Sequence, residues 1–153
     1  MVYRVGGLAA EAFAPLFDMS EAELAARRAR RTVAEGSGYP CRISLEEAAP
    51  GEALILVNHV SQEAATPFRA AHAIYVRKDV ARGSFTDAVP AILATRTLGL
   101  RAFDREGMLR GALLAPPGEA DARIRELFER PEVAEIHAHN AALGCFLARI
   151  ERN

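Results

Sequence analysis

Residues 133–139, VAEIHAH, and 145–151, CFLARIE, both alternate apolar and polar side chains with a period of two. Only a strand carries that period to one face. The residues between them, Asn140-Ala141-Ala142-Leu143-Gly144, suit a hairpin loop. Setting His139 opposite Cys145 places Ala138 across from Phe146, Ile136 from Ala148 and Ala134 from Ile150, an apolar face throughout. The other face then pairs Glu135 with Arg149, His137 with Leu147 and His139 with Cys145. A ribbon with one apolar face must bury it under another layer, so this hairpin excludes an all-helical fold.

The rest of the chain supplies that layer. Ser20 and Glu23 form a capping box, which predicts a helix from Glu21 into the basic cluster Arg27, Arg28, Arg30 and Arg31. Residues 39–44 read as a short strand, and Ser44 with Glu47 as a second cap for one helical turn, closed by Pro50-Gly51. The continuously apolar 53–57, ALILV, predicts a strand covered on both faces at the centre of the sheet. Residues 61–71 read as loop, 72–77 as strand, and Pro90 as the start of a short helix. Residues 98–103 and 108–114 flank Asp104-Arg105-Glu106-Gly107 as a second hairpin, with Gly107 at the left-handed position. Ile124, Leu127 and Phe128 stripe a helix that Pro131 ends. Strands and helices do not alternate as in βαβ units. The expected fold is therefore α+β: a largely antiparallel, strongly curled sheet of about six to eight strands with two or three packed helices.

Composition narrows the function classes. The 153 residues contain no linker, repeat or shift in composition, so a single domain over 1–153 is expected. The formal net charge of −1 leaves no summed positive field for a phosphate backbone, and nucleic acid is not an expected partner. No apolar run reaches the roughly 18 residues of a membrane-spanning helix, so no membrane partner is expected either. Arg4, Glu11 and Asp18 interrupt anything resembling a signal peptide, which points to the cytoplasm. Cys41 and Cys145 are too few for a disulfide framework, and their spacing matches no zinc knuckle or redox pair. Dinucleotide, phosphate-loop, metalloprotease, hydrolase and calcium-loop motifs are all absent from the sequence.

Chemistry concentrates on the polar face of the C-terminal hairpin. His137, His139, Asn140, Cys145 and Arg149 together suggest a site for a small polar or anionic molecule, with Arg42 or Arg101 assisting, because guanidinium groups pair bidentately with carboxylate or phosphate. A metal-assisted alternative uses His137 and His139, whose H-x-H spacing on a strand points both imidazoles one way, to hold zinc or iron with Cys145, His59 or His72 completing the shell. A thiol-dependent alternative has His139 draw the proton from Cys145, with Asn140 or Glu135 orienting the imidazole. Each residue also has an ordinary role, since a strand cysteine is commonly a small core residue and Glu135 with Arg149 a cross-strand ion pair. A structural protein forming a homo-oligomer through exposed strand edges is the third class.

Four stretches, YPCRISLEEAAPGEALILVNH (39–59), HAIYVR (72–77), LGLRAFDREGM (98–108) and VAEIHAHNAALGCFLARIER (133–152), resemble a bacterial family of uncharacterised proteins, the domain of unknown function 1203 family. The last stretch, with its HxHNAxxGC run, is the most specific. The resemblance implies a free-standing, single-domain bacterial protein and brings no activity, substrate or cofactor.

Overall fold

The computed structural model describes residues 1–153. Its first half runs through β1 (Tyr3–Gly6), two 3-10 turns (Ala10–Ala12 and Ala14–Asp18), α1 (Glu21–Ala26), β2 (Ala29–Val33), β3 (Ala53–Gln62) and β4 (Ala70–Arg77). The second half adds β5 (Ser84–Thr86), α2 (Ala91–Ala94), β6 (Leu98–Phe103), β7 (Leu109–Ala115), α3 (Ala120–Phe128), β8 (Glu135–Asn140) and β9 (Phe146–Arg152). The fold is α+β with antiparallel strand pairing, as expected. The strands divide into two sheets, however, where a single sheet was expected: six strands in the order β5-β1-β9-β8-β6-β7, and three in the order β2-β3-β4. The apolar 53–57 segment is central, but to the smaller sheet. The larger sheet also depends on long-range pairing of β1 with β5 and β9, which no local pattern encodes.

Local chemistry explains most boundaries. Ser20 Oγ accepts from the Glu23 backbone N–H at 3.2 Å and caps α1. The helix stops at Ala26, short of the basic cluster, because Arg28 turns left-handed at φ 55° and the chain pairs as β2 against β3. Arg31 then reaches back to the Phe17 and Met19 carbonyls and the Glu21 carboxylate. The strand and helical turn expected over 39–47 are replaced by turns: Cys41 bridges to Tyr75, Leu45 has φ 60°, and Ser44 accepts from Arg77 Nη1 at 3.1 Å. Residues expected as loop after 60 continue β3 through a bulge to Gln62. The β6–β7 hairpin forms as expected, with Gly107 at φ 81°.

Each sheet has its own apolar layer. Tyr3, Val5, Leu98, Leu100, Ile136 and Ile150 of the larger sheet pack with Ile124, Leu127 and Phe128 of α3. Phe13, Leu16 and Leu24 cover Ile55, Val57, Ile74 and Val76 of the smaller sheet. Each such aliphatic side chain contributes about 1.5–3 kcal/mol by leaving water. The sheets meet where β9 passes β4, and the residues singled out from sequence lie along that seam.

Candidate functional site

The β8–β9 hairpin forms, with a register two residues from the expected one. Glu135 opposes Glu151, Ile136 opposes Ile150, His137 opposes Arg149 and Ala138 opposes Ala148. A bulge after Ala138 then brings His139 opposite Phe146 in place of Cys145. The extra residue inverts the start of β9. Leu147 joins the apolar core, and Phe146 joins the imidazoles. A period-two pattern cannot reveal such a bulge.

Phe146 collects the histidines. Its ring lies 5.5 Å from that of His137, 6.0 Å from His139 and 6.3 Å from His59. His72 packs edge-on against His139 at 4.9 Å. All four histidines of the chain thus gather between the sheets, two from β3 and β4 and two from β8. His139 Nδ1 lies 3.0 Å from the Gly144 carbonyl, which only accepts, so Nδ1 carries the proton. His137 Nε2 donates to Glu135 Oε1 at 2.9 Å. These bonds fix both tautomers and leave His137 Nδ1 and His139 Nε2 as buried acceptors without a donor. Burial pushes the His139 pKa down to about 4 and lowers those of His59 and His72. Burial alone would raise Glu135, but the His137 hydrogen bond and the Arg149 charge outweigh it and hold the carboxyl below its ordinary range. Oriented imidazoles of this kind are what metal sites use. No three His, Cys, Asp or Glu side chains converge on one point, however, so the histidines do not make up a zinc or iron shell as they stand.

Two clefts flank this seam, and they divide the remaining candidates. Arg149 lies in an open groove of about 810 Å³ beside Glu135, Glu151, Glu63 and Glu132. Its guanidinium is bonded to Glu135 and, at 2.9 Å, to Glu151, so its charge is already balanced. Asn140 and Cys145 line the second cleft, of about 440 Å³, together with Arg42, Arg96 and His72. Two guanidinium groups and no carboxylate face this second space.

Arg42 is the unusual member. It is 2% exposed. Its Nε donates to the Phe146 carbonyl at 2.8 Å, Nη1 to the Pro40 carbonyl at 2.6 Å and Nη2 to Cys145 Sγ at 3.3 Å. Burial lowers its pKa, the Cys145 sulfur works the other way, and Arg96 adds to the lowering. No carboxylate forms an ion pair with it, whereas Arg96 is paired with Glu47. A guanidinium has five N–H donors. Three are used by the protein, which leaves one on each terminal nitrogen.

The five residues named from sequence therefore do not share one surface: Asn140 and Cys145 face the Arg42 cleft, Arg149 faces the acidic groove, and His137 and His139 are buried between. Cys145 meets Arg42, and His139 is turned to Gly144. Sequence reasoning names His72 only as a candidate metal ligand and misses Arg96. Arg42, named from sequence as an assisting group, is the residue that floors the cleft. Residues 38–152 match the model of the family described as Protein of unknown function (DUF1203). No curated protein and no solved structure matches the chain.

Proposed function

The chain belongs to the DUF1203 family, whose description assigns no activity, and we propose from the geometry that it binds a small anion in the cleft floored by Arg42. The observation that carries this reading is a buried guanidinium without a carboxylate partner, with one N–H left on each terminal nitrogen. An uncompensated buried charge is costly, and an anion within hydrogen-bond reach offsets that cost. Asn140 supports it: its Oδ1 is occupied by the Ala142 and Leu143 N–H groups, so its amide nitrogen is the free end. The volume falls in the roughly 300–1,000 Å³ range of small-molecule sites. The bacterial, cytoplasmic setting is part of the same proposal, supported by two free cysteines.

Titration calorimetry with sodium acetate and inorganic phosphate in low-chloride buffer tests it. Saturable binding to the native chain that disappears in Arg42→Met, with Arg149→Met unaffected, is the expected result. Equal binding in both variants sinks the reading. A second reading, thiol-dependent catalysis at Cys145, draws on the Arg42 hydrogen bond to Sγ, although no imidazole is bonded to that sulfur.

A further inference from the structure

Resting on the anion reading, we infer that the occupant of the Arg42 cleft is a monocarboxylate carrying an apolar body, a single ring or a branched chain, and not a phosphate or a small hydroxy acid. The charge count comes first. Arg96 is neutralised by Glu47, so Arg42 supplies one uncompensated positive charge. Its two remaining N–H donors sit on the two terminal nitrogens, the number that the two oxygens of one carboxylate accept. A phosphate dianion would bring twice the charge that the one uncompensated guanidinium, Arg42, balances.

The walls settle the rest of the molecule. Leu56, Ala73 and Tyr75 from the smaller sheet and Leu143 from the β8–β9 hairpin line the cleft. The Tyr75 ring is held by Tyr39, 5.0 Å away between centroids. Leu143 is 81% exposed. It is not a loosely placed loop residue: the Asn140 side chain accepts from its N–H at 3.0 Å, and Gly144 N–H closes the loop on the Asn140 carbonyl at 2.8 Å. The hairpin thus presents an apolar side chain at the cleft edge, where a ligand with an apolar body would remove both surfaces from water.

Calorimetry at neutral pH with phenylacetate, acetate, inorganic phosphate and the neutral phenylacetamide separates the possibilities. The expected order is phenylacetate at least tenfold tighter than acetate or phosphate, and at least tenfold tighter than phenylacetamide. Leu143→Ser, at an exposed position that leaves the fold intact, should weaken phenylacetate about fivefold and leave acetate unchanged. If acetate or phosphate binds as tightly as phenylacetate, the ligand class is wrong and the anion reading stands. If phenylacetamide equals phenylacetate, or if nothing binds, both readings fall.

Discussion

Arg42 Nε donates to the Phe146 carbonyl at 2.8 Å, joining the turn segment beside the smaller sheet to the first residue of β9 in the larger one. The same guanidinium holds Pro40 and Cys145, so one side chain both ties the sheets together and floors the cleft. Arg42→Met should cost about 2–4 kcal/mol in urea denaturation, from buried acceptors left without donors. Arg42→Lys should recover only part, because an ammonium cannot span three acceptors in a planar fork. A loss below 0.5 kcal/mol for the methionine variant would show that the tie is unimportant.

Acid should loosen the seam. A histidine in the unfolded chain titrates near 6.5, whereas burial puts His139 at about 4. Above pH 6.5 both states are neutral and the contribution is complete. As pH falls towards 4, the unfolded chain takes up a proton that the folded chain refuses, and His139 alone withdraws about 3 kcal/mol. His59 and His72 act in the same direction. Stability measured by urea midpoint between pH 7.5 and 4.5 should fall steeply, and His139→Leu should flatten that fall. An unchanged slope in the variant would place the acid sensitivity elsewhere.

The two thiols should behave differently. Cys41 is fully buried, and Cys145 is half-exposed in the cleft. Iodoacetamide on the native protein should add one label, at Cys145, as read by peptide mass spectrometry. Phenylacetate at saturation should slow that labelling several-fold. Labelling of Cys41 first, or no protection by phenylacetate, contradicts the placement of the cleft.

Gly7 is irreplaceable for a steric reason. A Cβ there would stand 1.9 Å from the Ile43 carbonyl oxygen, and that segment is held by the Leu8 N–H on the Arg42 carbonyl at 2.8 Å. Gly7→Ala should cost about 1–3 kcal/mol through displaced backbone and should weaken acetate binding as well. Gly99→Ala, with nothing near the added carbon, is the matched control. Equal effects of the two would refute the argument.

Much of the architecture was legible because it is local. The Ser20 cap, the apolar 53–57 strand, the β6–β7 hairpin and the α3 stripe each rest on patterns within a dozen residues, and each forms. The residues 27–31 departed from their helical pattern because pairing with β3 outcompeted another helical turn. The site was legible only in part. Asn140 and Cys145 were found through the hairpin and Arg42 and His72 were named as candidate helpers, but their convergence with Arg96 joins distant segments that no local pattern links. The bulge that puts Phe146 among the histidines is a single inserted residue that an alternating pattern hides.

The position of β1 carries a consequence for the order of assembly. It lies between β5 and β9, with Tyr3 opposite Arg152 and the Asn153 N–H on the Val2 carbonyl at 2.9 Å. A chain emerging from the ribosome makes β1 first and its neighbour β9 last, so the larger sheet closes only after synthesis passes Phe146. The smaller sheet, whose three strands are consecutive, can form long before. The Arg42 cleft, walled by both, is therefore among the last features to take shape. Joining the adjacent ends and opening the chain at the exposed Leu143 loop would put β9 and β1 first and make β8 the closing strand, without changing a single strand pairing.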